Sequence, residues 1–344
     1  MLSVPALRLR LDAEALVANW RWYQAQAGVP AAAAVKADGY GLGARAVAAR
    51  LWAAGCRTFA VSTWAEAEAL GRLPGPGAVL VLHGYRAEDA PAAAALPWCR
   101  PVLNTAAQVA AWKADFPGRA SDLMVDIGMN RLGVPPAEAA GLAEGMRLVV
   151  LHGHLATADL PDHPMAEVQR ARFAEVARVF PGLTAALANS AGVCRGRQFS
   201  FGLVRPGLGL YGGRPHPAAA PRRVVFPEAR VVQVRTVAEG ETVGYGATWT
   251  AARPTRVAVV SAGYADGLFR GLGPHLRFRV AGAACPVVGR MSMDLAAVDV
   301  TGHDVAEGDW LSLDFDLPRL EAASGISQYE MLVALSARFE RVWV

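Results

Sequence analysis

The chain has 344 residues, 53% of them hydrophobic and 19% charged, a composition that supports a large core and excludes global disorder. Its 34 Lys and Arg against 30 Asp and Glu leave +4, too small an excess to argue for a nucleic-acid partner, which gathers basic residues on one face or tail. With 35 Gly and 22 Pro it is neither collagen-like nor low-complexity, and its length suits two domains or one large barrel with a smaller module.

The N-terminal stretch MLSVPALRLRLDAEAL carries arginines inside its apolar run, not before it, which is not the pattern of a signal peptide. Within it Ala6–Leu11 reads as a strand, so residues 1–10 are expected to add a strand to a later β domain. Beyond it, apolar runs alternate with alanine-rich helical segments. Ala31–Ala37, Thr58–Thr63, Ala78–Gly84, Pro101–Asn104, Asp122–Gly128, Leu148–Ala156, Leu183–Ser190 and Leu203–Gly212 read as buried strands. Ala44–Gly55, Trp64–Arg72, Ala106–Phe116, Pro136–Met146 and Met165–Phe180 read as helices between them. Continuous apolar strands, most of them followed by helices, imply a parallel sheet buried on both faces. Eight such units predict an α/β fold: a (β/α)8 TIM barrel over residues 11–224.

Near Phe226 the helical periodicity fades. Val231–Val237, Thr242–Thr250, Arg256–Ala262, Leu276–Val280, Ala283–Val288, Leu295–Val300 and Trp310–Leu313 are short runs separated by Gly, Asp, Asn or Pro turns. They predict a mostly β C-terminal domain over 225–344, closed by one late helix, Gln328–Phe339. No run reaches the roughly 20 apolar residues of a membrane helix, so no membrane association is expected. Cys56, Cys99, Cys194 and Cys285 lie far apart with no CxxC pair. They read as thiols of a reducing, cytoplasmic compartment, with neither a disulfide scaffold nor a metal site expected.

A barrel of this kind places its chemistry at the C-terminal ends of its strands. The first strand ends in Lys36, within Val-Lys-Ala-Asp-Gly-Tyr-Gly. A lysine in an apolar strand is paired with a buried charge, snorkels at the edge, or is a desolvated amine able to form a Schiff base. The fifth strand runs into Gly128-Met-Asn-Arg131, the sixth into His152-Gly-His154, the seventh into Asn189-Ser190, and the eighth into Arg205-Pro-Gly207-Leu208. A hydroxyl and a glycine-flanked backbone after strands seven and eight read as a phosphate site. A lysine, phosphate donors and His or aromatic packing together suggest pyridoxal 5'-phosphate. Taken singly, other readings hold. His152 and His154 read as satisfied core histidines, Tyr264 as a packing aromatic, Arg205 as a surface ion pair, and Met129, Met291 and Met293 as core residues.

Five segments in order alter that balance: Ala-Val-Lys-Ala-Asp-Gly-Tyr-Gly-Leu-Gly over 34–43, Gly-Met-Asn-Arg-Leu-Gly over 128–133, Arg-Pro-Gly-Leu-Gly-Leu-Tyr-Gly over 205–212, Gly-Tyr-Ala-Asp-Gly over 263–267 and Gly-Arg-Met-Ser-Met-Asp over 289–294. Over nearly its full length the chain resembles the alanine racemase family, the fold-type III pyridoxal-phosphate enzymes. The resemblance implies that Lys36 carries the cofactor and is one of two acid–base groups. Tyr264, reaching the site from a partner subunit, is implied to be the other, in a homodimer with shared sites. Tyr40, Ser190 and the backbone of Gly207 and Leu208 are implied to bind the phosphate, and Arg205 to face the pyridine nitrogen. His154 is implied to pack on the ring and orient Arg205 and Tyr264. Arg131 is implied to contact cofactor and substrate carboxylate, and Met293, through its amide, and Asp294 to shape the substrate end. Racemisation calls for two such groups because the proton leaves one face of the α-carbon and returns to the other.

The chain departs from the family pattern in four places. Asp38 replaces a common Asn and puts a carboxylate near the phosphate unless it faces away, and Leu42 replaces a His. Met124 stands where several members carry a carbamylated lysine, so no carbamate is expected and Arg131 needs another support. Ala337 aligns with a tyrosine that narrows the entrance in some members, which predicts a wider pocket. The leading reading is an alanine racemase supplying D-alanine for peptidoglycan. The alternatives are a serine or broad-specificity racemase of the same fold and a non-catalytic pyridoxal-phosphate protein. The second resembles only the first part of the chain.

Overall fold

The computed structural model describes residues 4–344; the first three residues of the expected N-terminal segment lie outside the described residues. Two compact units divide the chain. One is Leu16–Arg222, and the other joins the residues through Ala15 to Arg223–Val344.

In the first unit, Ala33–Ala34, Thr58–Val61, Ala78–Val81, Cys99–Leu103, Ser121–Met124, Leu148–His152, Thr184–Asn189 and Leu203–Arg205 pair in that order, each parallel to the next. The last strand meets the first: Ala31 bridges Val204, and the N–H groups of Ala32 and Ala34 donate to Val204 and Pro206 at 2.8 and 3.0 Å. The sheet is thereby a barrel. Alternate residues of a strand point the same way, and the inner ones stack in layers. Ala32, Val150, Ala186 and Leu203 form one cluster and Ala60, Leu80, Val102 and Met124 another. Small first-strand residues offset bulkier ones across the interior.

Every barrel strand stops short of its predicted apolar run, and at three of them the cause is local. After Ala34 the chain turns at Lys36–Tyr40, with Ala37, Asp38 and Tyr40 at φ of 50, 50 and 56°. The fifth strand ends at Met124 because the Asp126 carboxylate gathers the N–H groups of Gly128, Met129 and Asn130 at 2.9–3.1 Å into a turn. The eighth ends at Arg205 because Pro206 has no N–H to continue the ladder. A helix absent from the predicted elements, Ala13–Ala27, starts where Asp12 accepts the Ala15 N–H at 2.8 Å. It buries Leu16, Trp20, Tyr23 and Ala27.

The second unit centres on Val225–Val237, a 13-residue strand. It pairs antiparallel with Leu7–Leu11 and Trp310–Leu313 along its first half and with Thr255–Val260 along its second. Arg277–Val280, Ala283–Val288 and Ala296–Asp299 complete the sheet, and Glu340–Trp343 lies parallel to Leu7–Leu11. The run expected as one strand over 242–250 is two short ones, Thr242–Val243 and Trp249–Thr250. They pair across a turn that Gly244 and Gly246 enter at φ of 81 and 75°. The late helix spans Gln328–Val333 and not Gln328–Phe339. Arg341 takes the carbonyls of Leu335, Ser336 and Phe339 at 2.8–3.2 Å, so the chain curls into its last strand instead of propagating the helix. Ala337 therefore sits in an exposed turn, not on a helix. A further helix, Leu317–Ser324, is capped by Asp316. Among the described residues no helix is long and apolar enough to cross a membrane.

Candidate active site

Lys36 stands at the C-terminal mouth of the barrel, half-buried. Burial and then the nearby Arg131 hold its amine below the ordinary lysine range, with Glu66 pulling the other way. A larger neutral fraction makes such an amine a better nucleophile and proton carrier at neutral pH. The two residues after it are tied to the helices that follow. Ala37 donates its N–H to Glu66 at 2.9 Å. The Asp38 carboxylate accepts the Ala44 N–H at 2.8 Å, serving the start of helix Ala44–Ala53. That bond occupies the carboxylate whose sequence position raised the question of repelling a phosphate.

Tyr40 is buried and stacks on Tyr211, ring centroids 4.5 Å apart, while the Tyr211 hydroxyl donates to the Ala34 carbonyl at 2.7 Å. A Cβ added to Gly207 would stand 2.2 Å from the Tyr40 hydroxyl. Ser190 follows Asn189, whose side chain caps the next turn by accepting the Gly192 N–H at 2.9 Å. The Ser190 hydroxyl accepts N–H groups from Gly207 at 2.8 Å and Gly209 at 3.3 Å. Two hydroxyls and two main-chain N–H groups thus converge where only a glycine backbone fits. Such a nest suits a phosphate, and Gly209 is a member that the sequence reading lacked. Leu208, buried, opens the turn Leu208–Tyr211, which carries the Gly209 amide and is preceded by Gly207.

Arg205 projects into the barrel and is 7% exposed. Its Nη1 donates to the Ala186 carbonyl at 2.7 Å and to His152 Nδ1 at 3.0 Å, and its Nη2 donates to the Gly153 carbonyl at 2.6 Å. A guanidinium has five N–H donors, so two remain to face a ring nitrogen. Burial lowers Arg205 to about 10, which leaves it charged at neutral pH. The resemblance implies an orienting role for His154; in the structure the histidine that bonds Arg205 is His152. Behind His152 Nε2 lies Asp122 at 3.1 Å, and Asp122 also receives Arg100 at 3.0 Å and the Val150 N–H at 3.2 Å. Burial pushes His152 down to about 4, so the ring is neutral. Because arginine only donates, Nδ1 accepts and Nε2 carries the proton toward Asp122. His152 is a satisfied core histidine, and what satisfies it is the arginine of the site. The alternation of strand residues held a clue. Asp122, His152 and Arg205 fall at inward positions of strands five, six and eight, in line with Met124, Val150 and Leu203.

His154 sits two residues further on, its carbonyl accepting Gln169 at 3.2 Å. Burial first, then Arg205, Arg131 and Lys36, push it to about 3, so it is a neutral ring facing three cations. Arg131 lies exposed at the tip of the loop that Asp126 organises. Val134 closes the loop by donating to Met124 at 2.9 Å and accepting from Asp126 at 3.0 Å. Met124 itself packs with Ala60, Leu80 and Val102 in the barrel interior.

The second unit assembles its own group. The loop Gly263–Gly267 is tied by Tyr264 N–H to Ser292 at 3.1 Å and Ala265 N–H to Met293 at 3.0 Å. Asp266 accepts the Gly263 N–H at 2.8 Å and pairs with Arg338 at 3.1 Å, which also donates to Asp294 at 2.8 Å. Both glycines are required. A Cβ on Gly263 would lie 2.2 Å from the Met293 carbonyl, and one on Gly267, at φ 89°, 2.1 Å from the Ala334 carbonyl. The loop presents Tyr264 and Met293 outward at 42 and 53% exposure, whereas Met291 is buried. Neither Tyr264 nor Met293 is therefore the packed residue that its isolated reading suggested. Among the described residues no group of three or more His, Cys, Asp or Glu could hold a metal ion.

Comparisons with known proteins cover both units. The alanine racemase N-terminal domain family matches residues 11–215, and the alanine racemase C-terminal domain family matches 224–343. The alanine racemase of Acidiphilium cryptum (strain JF-5) is 42% identical, the alignment covering 97% of this chain and 98% of that protein. A crystal structure of alanine racemase from Bartonella henselae with covalently bound pyridoxal phosphate superposes with a TM-score of 0.91 at 31% identity, covering 99% and 100% of the two chains. The biosynthetic alanine racemase of Pseudomonas aeruginosa gives 0.89 at 32%, with the same coverage. With both of the family's domains matched end to end, the chain belongs to the alanine racemase family.

Proposed function

We propose that this protein is a pyridoxal-phosphate-dependent isomerase that interconverts L- and D-alanine by a two-base mechanism. The observation that carries the reading is the set of groups at the barrel mouth. A lysine held below its usual range shares that mouth with a cluster of Ser190, Tyr40 and glycine amides, and with a buried arginine with two donors to spare. When bound, pyridoxal phosphate acidifies the substrate's α-carbon by drawing charge into its ring.

The protein's residues divide the remaining work. Lys36 Nζ carries the cofactor and moves a proton on one face. Tyr264 Oη, contributed by a partner subunit in a homodimer, moves one on the other. Arg205, which only donates hydrogen bonds, would face the pyridine nitrogen and leave it unprotonated. His154, neutral beside Arg205 and Arg131, packs on the ring. Arg131 receives the substrate carboxylate, and the Met293 amide and Asp294 line the substrate end. The four cysteines are free thiols, three of them buried, which suits a reducing cytoplasm where D-alanine is made for peptidoglycan.

Tyr264→Phe tests the two-base assignment. It is expected to cut racemisation about 10²- to 10³-fold, as loss of one positioned acid–base group does, while the cofactor still attaches to Lys36. A Tyr264→Phe protein that racemises alanine at the parent rate would remove Tyr264 from the mechanism.

A further inference from the structure

Glu66 occupies the third position of helix Trp64–Leu70, after the cap residue Thr63, whose hydroxyl accepts the Glu66 N–H at 3.2 Å. In the usual reciprocal arrangement a glutamate here turns back to the cap residue's own N–H. This one reaches elsewhere. Its Oε2 accepts the Ser62 N–H at 2.6 Å, and its Oε1 accepts the Ala37 N–H at 2.9 Å. One carboxylate thereby ties the end of the second barrel strand to the residue directly after Lys36. Ala37 and Asp38 both sit at φ 50°, a left-handed backbone that residues with a side chain avoid unless something holds them there.

We propose that Glu66 is a positioning residue for Lys36: its carboxylate holds the Ala37 amide and so fixes the left-handed turn that presents the lysine at the barrel mouth. This rests on the reading that Lys36 carries the cofactor. The titratable groups facing the lysine come from three elements. Arg131, on the loop after strand Ser121–Met124, lowers its basicity, and Glu66, on the helix after Thr58–Val61, raises it. His154, after strand Leu148–His152, is neutral. Glu66 thus opposes, with its negative charge, the burial and the Arg131 cation that hold the amine low.

The chain has only two lysines, Lys36 and Lys113, so Lys113 is an internal reference. The experiment is competitive acetylation of the cofactor-free chain across a pH series, read by peptide mass spectrometry, in wild type, Glu66→Gln and Glu66→Ala. Pyridoxal-phosphate retention is measured in parallel, and borohydride reduction locates the attached cofactor. Both variants are expected to move the Lys36 midpoint to lower pH with Lys113 unmoved, because Arg131 is left unopposed. Glu66→Gln keeps an acceptor for Ala37 and Glu66→Ala does not. Retention is therefore expected to fall about tenfold in Glu66→Ala and about threefold in Glu66→Gln, the scale of losing a charged hydrogen bond. Should Glu66→Ala fail to fold, the Lys36 midpoint in Glu66→Gln decides. Cofactor on Lys36 in every chain, with equal retention and unmoved midpoints, would leave the lysine reading standing and overturn the role of Glu66. Cofactor absent from Lys36 in the wild type would overturn both.

Discussion

Replacing Lys36 with alanine is expected to abolish alanine racemisation, by at least about 10⁴-fold, because the proposed function gives one side chain the work of both covalent anchor and acid–base group. Lys113, on helix Ala106–Asp115, stands away from the strand-end turn and offers no replacement. Lys36→Arg is a sharper control. It preserves a cation at the mouth and the turn held by Ala37 and Asp38, yet cannot anchor an aldehyde. Both variants should retain the fold, since Lys36 contributes no ladder bond within strand Ala33–Ala34. The check is D-alanine formation together with borohydride reduction and peptide mapping. A Lys36→Ala protein that keeps more than about a hundredth of the parent rate would contradict an acid–base role of the usual size.

His152→Leu is expected to have the largest effect on stability. The ring lies fully buried between Arg205 and Asp122. Removing it takes one of the three acceptors of Arg205 and a donor from a buried carboxylate that Arg100 still pairs. Broken buried networks of this kind cost about 3–5 kcal/mol. The same substitution should loosen cofactor binding, because Arg205 then keeps only its two carbonyl partners, Ala186 and Gly153.

The pH dependence follows from the sign of the histidine shifts. His152 falls from 6.5 to about 4 on folding, and His154 to about 3. Between those values the unfolded chain binds more protons than the folded one. Stability therefore rises with pH through that window, is fully present above about 6.5, and declines as pH falls. For His152 the whole shift amounts to something on the order of 3 kcal/mol. Urea unfolding at neutral pH and in the acid window measures both effects. His152→Leu should unfold more easily at neutral pH and lose part of the acid slope; unchanged midpoint and slope would contradict a stabilising Asp122–His152–Arg205 network.

How much was legible beforehand differs between the two units. The barrel is plain in the sequence because each strand is a compact apolar run and each motif follows one. Lys36, Ser190 and Arg205 all occur where such a run breaks off. The breaks themselves were less visible, because hydrophobicity continues past the last ladder bond. Val35 is still buried, and Leu208 to Tyr211 are buried in a turn and not in a strand. The choice between His152 and His154 escaped for a related reason. Two histidines separated by one residue share a strand face by alternation, and which of them meets Arg205 depends on the stagger of strands six and eight. Helix Ala13–Ala27 escaped because its first turn abuts a strand-like arginine–leucine alternation. Its signal was Asp12 three residues before Ala15. In the second unit the Arg341 contacts that end the late helix join residues up to six apart, and no local periodicity reports them.

The most direct test of the central claim is to incubate the purified protein with pyridoxal phosphate and L-alanine in heavy water. Loss of the α-proton and appearance of D-alanine are followed together, with L-serine and L-lysine in parallel. The account predicts that alanine exchanges its α-proton and yields deuterated D-alanine faster than either comparison substrate reacts. Cofactor bound through Lys36 while alanine keeps its α-proton would contradict it, leaving the family and the fold in place and the proposed substrate wrong.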